Sequence, residues 1–224
     1  MKRAVCSGCL RPQSTCICQW ITPTAHAAEV LILQHPLEVH EAKNSARLLH
    51  LSLPGSRIVV GESFENSAWQ ALMLVPKYTV LLYPHTDYTH TNYPGHARPA
   101  PLDTAQLANP DAVRLVVLDA TWRKSRKMLH TSPALQTLPR LSLTTAPASG
   151  YLIRKAHKPG QLSTLEATCA ALAQLESPLG GTDTFAPLLQ AFQGFVAQQL
   201  ALRPPPFNQA DAGFNNQRLR QVNA

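Results

Sequence analysis

The sequence predicts an α/β fold built on a mainly parallel sheet with flanking helices, and three observations carry that expectation. Short apolar runs alternate with helical patterns along the chain, the order that gives parallel strands joined by crossovers. One run, Leu115-Val116-Val117-Leu118, is apolar at four consecutive positions, as a strand buried on both faces requires. Near its end the chain carries two amphipathic helical patterns, which supply cover for such a sheet.

The first element is a small cysteine knuckle, expected over residues 1–22. Cys6, Cys9, Cys16 and Cys18 fall within thirteen residues. That density in so short a segment fits a tetrahedral four-thiolate zinc site better than a disulfide framework. Four thiolates leave no open coordination position, so the zinc is expected to be structural. Cys6-x2-Cys9 is a common ligand spacing, whereas Cys16-x-Cys18 demands a tight turn, and Arg11-Pro12 between the halves helps the chain reverse. Pro23 and Thr24 read as a link to a main domain spanning 23–202.

Within that domain Val30-Leu31-Ile32-Leu33 reads as a first strand ending in Gln34-His35-Pro36. A helix is expected from Glu38 to about Leu51, with Lys43 and Arg47 four residues apart on one face. Arg57-Ile58-Val59-Val60 and Val80-Leu81-Leu82 read as the second and third strands, the third closed by Tyr83-Pro84. From Pro84 to Pro110 there are five prolines and little apolar periodicity, so a long loop or lid is expected, a feature usually tied to function. The fourth strand leads into Asp119, a helix follows to about His130, and Leu141-Ser142-Leu143 is a candidate fifth strand. Ser163-Thr164-Leu165-Glu166 fits a capping box, with Ser163 as cap and Glu166 three residues on. Cys169 lies on the apolar face of that helix and reads as a small buried hydrophobe. Phe185, Leu188, Leu189, Phe192, Phe195 and Val196 trace the last helix, and past Arg203 a proline-rich basic run over 203–224 reads as a flexible tail.

Parallel sheets bind ligands at the carboxyl ends of their strands. Asp119-Ala120-Thr121-Trp122 therefore places a carboxylate, a hydroxyl and an indole where chemistry is expected. Arg123, Lys124, Arg126 and Lys127 follow directly, and Arg154 and Lys155 with His157 and Lys158 form a second basic patch. Twenty Lys and Arg against thirteen Asp and Glu give a net charge of +7. That balance favours a phosphate-rich partner, so these cations, with Lys43 and Arg47, are candidates for nucleic-acid phosphates. No stretch approaches the ~20 apolar residues of a membrane span, and Met1-Lys2-Arg3 leads into cysteines, not into a signal-peptide core. A cytoplasmic protein without an obligate protein partner is the expectation. No pair among the nine histidines has metalloprotease spacing.

Five segments in register resemble a known family. Asp119-Ala120-Thr121-Trp122 resembles the D-x-T-W signature of the DTW-domain proteins, the tRNA-uridine aminocarboxypropyltransferases. The knuckle Cys6-x2-Cys9-x-Arg11-Pro12-x3-Cys16-x-Cys18 is similar to theirs. His35-Pro36-Leu37-Glu38 with Asn44-Ser45 resembles an H-P-x-E…N-T element, Leu82-Tyr83-Pro84 an L-Y-P turn, and Ser163-Thr164-Leu165-Glu166-Ala167 an S-T-x-E-A segment. The likeness covers roughly residues 6 to 175. Ala120 stands where glycine is usual and Ser45 where threonine is usual.

The resemblance implies a SPOUT-like knotted α/β domain that takes S-adenosylmethionine as co-substrate. It implies transfer of the 3-amino-3-carboxypropyl group to N3 of a tRNA uridine, releasing methylthioadenosine. Asp119 is then a general base or an orienting acceptor, with capping of the following helix as the plain alternative. Trp122 either stacks on a base or packs into the core. Leu82, Tyr83, Pro84, Leu118, Thr121, Leu162, Ser163, Thr164 and Glu166 are the implied co-substrate contacts, although Glu166 equally suits the capping box alone. A SPOUT-type RNA methyltransferase and a non-catalytic zinc-knuckle RNA-binding protein are the competing readings.

Overall fold

The structure, a computed structural model, describes residues 4–85, 97–144, 162–176 and 183–202 of the 224-residue chain. Five strands form one sheet: β1 (Glu29–Gln34), β2 (Arg57–Val60), β3 (Tyr78–Leu82), β4 (Val113–Asp119) and β5 (Arg140–Leu141). Their spatial order is β2-β1-β4-β3-β5, and every pairing is parallel. The apolar runs set this order. Val30 to Leu33 and Leu115 to Val117 have essentially no exposed surface, and a parallel strand in the middle of a sheet is covered on both faces.

Seven helices among the described residues provide the cover: α1 (Ala46–Ser52), α2 (Asn66–Leu72), α3 (Thr104–Leu107), α4 (Trp122–His130), α5 (Pro133–Gln136), α6 (Thr164–Glu176) and α7 (Ala186–Ala201). Side chains alternate across a strand, so each strand feeds two cores. Val30, Ile32, Val80, Leu115 and Val117 pack with Leu48 and Leu49 of α1, Leu165 and Leu172 of α6, and Phe192 and Phe195 of α7. Leu31, Leu33, Leu81 and Val116 pack on the other face with Phe64, Met128 of α4 and Leu135 of α5. Cys169 is buried in the first core as expected, and burial pushes its thiol up to about 12.

The helix expected from Glu38 to Leu51 is corrected. Pro36–Glu38 form one 3-10 turn and the α-helix begins only at Ala46. Asn44 is the physical cause: its Oδ1 accepts from the Arg47 amide at 3.2 Å, a side-chain cap that stops a helix from extending backwards. Lys43 therefore lies outside the helix and shares no helical face with Arg47. The short α2, α3 and α5, of four to seven residues each, are too brief for apolar periodicity to announce them. Part of the proline-rich stretch is ordered as α3 and the turn Pro110–Ala112, while 86–96 lies outside the described residues.

Several contacts tie the N-terminal segment to α7, and Trp20 makes two of them. Trp20 lies so close to Gly194 that a Cβ there would fall inside the indole, 2.7 Å from Cε3. Trp20 Nε1 also donates to Gln198 Oε1 at 2.6 Å. Gly194→Ala is expected to destabilise by about 2–3 kcal/mol, because a packed ring must move. A urea melt checks this, and an unchanged midpoint would mean the indole has room to shift.

Candidate active site and metal centre

Strands β1 and β4 are neighbours, yet the chain leaves them towards opposite faces: after β1 it forms α1 in the first core, and after β4 it forms α4 in the second. Such a switch opens a crevice at the carboxyl ends of the two strands, the usual ligand position in open α/β sheets. The last register pair across this seam is Gln34 and Asp119. Alternation along β4 turns Asp119 to the same face as Val117, towards α1 and α6.

Asp119 is 3% exposed and holds three elements together. Its Oδ2 accepts from Gln34 Nε2 at 2.8 Å and from Asn44 Nδ2 at 2.6 Å, and its Oδ1 accepts from Thr164 Oγ1 at 2.8 Å. Burial pushes its carboxyl up, the three hydrogen bonds pull the other way, and the Glu38 charge adds to the upward push. All three donors are neutral, and among the described residues no cation is paired with it. Its oxygens reach Thr164 on α6, not the amides that open α4. The cap of α4 is Thr121, whose Oγ1 accepts from the Lys124 amide at 3.4 Å.

Trp122 is 50% exposed, so it is not a core residue. Its ring leans on Tyr83 with centroids 5.5 Å apart and planes at 57°. Tyr83 is buried, and the Arg140 guanidinium carbon lies 5.7 Å from the Tyr83 ring centroid. Tyr83 belongs to the second core. The indole thus stands on the α4 side of the sheet edge and Asp119 on the α6 side, with the crest of β4 between them. Leu82 and Leu118 are half-buried and Pro84 exposed on the same edge.

The capping box closes as expected. Glu166 Oε2 accepts from the Ser163 amide at 2.7 Å, and Ser163 Oγ accepts from the Glu166 amide at 3.2 Å. The Leu165 amide donates to Ser45 Oγ at 3.4 Å. Ser163 and Glu166 thus use these atoms on each other, whereas Thr164 turns its hydroxyl to Asp119. Leu162 is half-buried beside them.

The basic residues divide. Lys124 Nζ pairs with the buried Glu38 at 2.9 Å, and Lys127 Nζ with Glu62 at 2.9 Å. Arg123 and Arg126 are exposed and make no ion pair among the described residues. Arg47 is half-buried and turns to the knuckle, its Nε donating to Cys9 O at 3.3 Å and its Nη2 to Gly8 O at 3.1 Å. Arg154 and Lys155, with His157 and Lys158, lie outside the described residues, as does the tail over 203–224. His35 is buried, takes the Leu37 amide on Nδ1 at 3.1 Å and so offers its Nε2 hydrogen to Glu62 at 3.3 Å.

The four knuckle thiols converge, with all Sγ atoms within 4.8 Å of one another. Cys6 and Cys18 sulfurs are 3.6 Å apart, and those of Cys9 and Cys16 are 3.8 Å apart. A tetrahedron with zinc–sulfur arms of about 2.3 Å has edges of about 3.8 Å, so these residues could hold a metal ion of that size. The amides of Cys9 and Gly8 hold the Cys6 thiol down at about 6, whereas hydrogen bonding with Cys6 and then Cys16 pushes Cys18 up to about 12. Four thiols cannot all ionise side by side without a countercharge, which a dication supplies. The chain reverses at Leu10, which takes φ 58°, and at the antiparallel bridge from Val5 to Pro12.

Gln34 and Asn44 are the Asp119 partners whose bonds the sequence does not announce. They sit 85 and 75 residues from Asp119, and neither amide titrates. Gln34 is signalled only by its place at a strand end, and Asn44 by its place before a helix and in the N-T element quoted above.

Residues 3–200 match the family described as the DTW domain. The chain is similar to tRNA-uridine aminocarboxypropyltransferase 2 of Drosophila melanogaster, 33% identical over 184 residues that cover 79% of this chain and 68% of that protein. It is 28% identical to the protein of that name in Mus musculus, over 88% of this chain and 65% of that protein. It is 27% identical to tRNA-uridine aminocarboxypropyltransferase A of Arabidopsis thaliana, over 58% of this chain and 52% of that protein. The chain thus spans about two thirds of the length of the first two relatives and about half of the third. No solved structure gives a significant match.

Proposed function

Because this chain belongs to the DTW domain family, we propose that it is a tRNA-uridine aminocarboxypropyltransferase that uses S-adenosylmethionine. The observation that carries the reading is the buried Asp119 at the switch point, hydrogen-bonded by three neutral groups. A carboxylate out of water and, among the described residues, without a cationic partner favours a cationic ligand beside it, and a sulfonium is one. The relatives' names support tRNA as the acceptor.

In the proposed step uridine N3 attacks the γ-carbon of the methionine arm. The carbon–sulfur bond breaks, its electron pair stays on sulfur as neutral methylthioadenosine, and the N3 proton leaves to a base. Position decides which of the three carbons on sulfur reacts, so the chain's task is alignment at about 3–3.5 Å. A carboxylate offers about four accepting positions. Three on Asp119 are taken among the described residues, and the remaining one, on Oδ1 beside Thr164, is the proposed position to orient N3–H and take its proton. Trp122, half-exposed and braced by Tyr83, presents a ring face on which a nucleobase or the adenine can stack. Leu82, Pro84, Leu118, Thr121 and Leu162 line the same edge as the proposed co-substrate contacts. Arg123 and Arg126 are the proposed phosphate contacts.

Cys6, Cys9, Cys16 and Cys18 are proposed to hold a structural zinc. The unpaired thiols fit a reducing compartment, which supports a cytoplasmic setting. Among the described residues no helix is long and apolar enough to cross a membrane. The SPOUT-like knotted arrangement and the division into a knuckle (1–22), a catalytic domain (23–202) and a tail (203–224) belong to the same reading, and the parallel sheet supports it.

The test is label transfer to tRNA from S-adenosylmethionine carrying label in either the methyl or the carboxypropyl part. Label in RNA from the carboxypropyl part alone is expected. Label from the methyl group would replace this reading with an RNA methyltransferase. No transfer with intact tRNA binding would leave an RNA-binding protein.

A further inference from the structure

The knuckle and the crevice are joined by a reciprocal pair of guanidinium clamps. Arg11 lies inside the knuckle, two residues past Cys9, with its carbonyl accepting from the Cys6 amide at 2.8 Å. Its side chain leaves the knuckle: Nη1 donates to Ala42 O at 2.6 Å and Nη2 to Asn44 O at 2.9 Å. The guanidinium carbon lies 5.3 Å from the ring centroid of Phe195, a fully buried residue of α7. Arg47 runs the opposite way, from α1 to the Gly8 and Cys9 carbonyls.

Asn44 stands between the two. Arg11 holds its carbonyl, the Arg47 amide holds its Oδ1, and its Nδ2 makes the 2.6 Å bond to Asp119. The stretch from Val39 to Ser45 forms neither helix nor strand, so its carbonyls at 42 and 44 have no ladder to fix them. Two N–H bonds from one rigid fork, one to each carbonyl, supply that constraint, and a lysine cannot reproduce them. The knuckle reaches the crevice through these bonds.

We propose that Arg11 is a positioning residue for Asp119, fixing Asn44 from the cysteine knuckle and thereby making metal binding at Cys6, Cys9, Cys16 and Cys18 a condition for an ordered crevice. The role of Asp119 in transfer rests on the reading above; the clamp itself does not.

The test uses the full chain as wild type, Arg11→Lys and Asn44→Ser. Zinc content, hydrogen exchange of residues 39–47, and kcat and KM for tRNA are measured. Arg11→Lys is expected to retain one zinc per chain and to speed exchange in 39–47 by about tenfold or more while the β1 and β4 amides stay protected. Misplacing Asn44 is expected to lower kcat on the order of tenfold or more, with KM for tRNA within about twofold. Asn44→Ser, which leaves the knuckle untouched, gives a similar loss of kcat, and the double variant is no worse than the stronger single one. Chelating the metal from wild type reproduces the exchange signature of Arg11→Lys, and added Zn2+ reverses it.

Unchanged exchange in 39–47 for both Arg11→Lys and the chelated protein overturns the proposal. So does a raised KM for tRNA with kcat intact, which would make the knuckle an RNA contact. If wild type transfers nothing, the proposed function falls, while the exchange measurement still decides the clamp.

Discussion

Asp119→Asn is expected to lower turnover by roughly 10²–10⁴-fold, the range of a lost acid–base group, while tRNA affinity and folding survive. The hydrogen-bond pattern explains why the fold tolerates it. Gln34 and Asn44 both donate to Oδ2, and Thr164 donates to Oδ1. An asparagine can keep its oxygen towards the two amides and turn its NH2 to Thr164, whose hydroxyl accepts as readily as it donates. The variant also removes a buried charge. Asp119 has its carboxyl raised, by burial first, so its folded value lies above its unfolded one. Its contribution to stability is complete below the unfolded value and lost as pH rises through the folded one. At neutral pH the asparagine variant is therefore expected to melt no lower than wild type. Label transfer, tRNA binding and thermal melts of the two proteins check this together. Turnover within a few-fold of wild type would remove Asp119 from the chemistry.

The same residue marks where the sequence stops being legible. Asp119 is readable because a buried apolar run ends on it, and β1 and β4 are readable for the same reason: two-sided burial leaves a continuous apolar signature. The edge strand β2 is only partly buried and shows instead through its β-branched Ile58, Val59 and Val60. The capping box is readable because Ser163 and Glu166 are three residues apart and need only each other. Asn44 is different. Its cap on Arg47 is local, yet its bond to Asp119 depends on β1 and β4 pairing and on the knuckle reaching over 31 to 33 residues through Arg11. Arg47 looks like a surface cation by composition, and only the folded knuckle supplies carbonyls to receive it. The basic run after Trp122 reads as one patch, whereas Glu38 and Glu62 take Lys124 and Lys127 out of it. Local patterns are written in the sequence, while partners set by chain crossing are not.

Glu29→Gln is expected to be the most destabilising single change at the opposite, amino-terminal end of the strands, costing about 3–5 kcal/mol. Arg114 is 1% exposed, and its Nε and Nη2 bond the two Glu29 oxygens at 2.9 and 3.0 Å. Arg57 adds a third bond to Glu29 at 2.7 Å. Removing the carboxylate charge leaves a buried guanidinium uncompensated, and that penalty, not the lost attraction alone, sets the size of the effect. For a chain of this length it corresponds to a fall in Tm of about 10 °C. The pH dependence separates charge from packing. Burial pushes the Glu29 carboxyl up, but the Arg114 hydrogen bond and charge, then those of Arg57, outweigh it and the value ends lowered. A depressed folded value means stability that is present above the ordinary carboxylate value of about 4.3 and lost as pH falls through the folded one. The gap between wild type and Glu29→Gln in urea melts is thus expected to be widest at neutral pH and to close under acid, as wild type itself takes up the proton. A gap of constant size across that range would mean that the shape of the glutamate, and not its charge, holds Arg114 in the sheet.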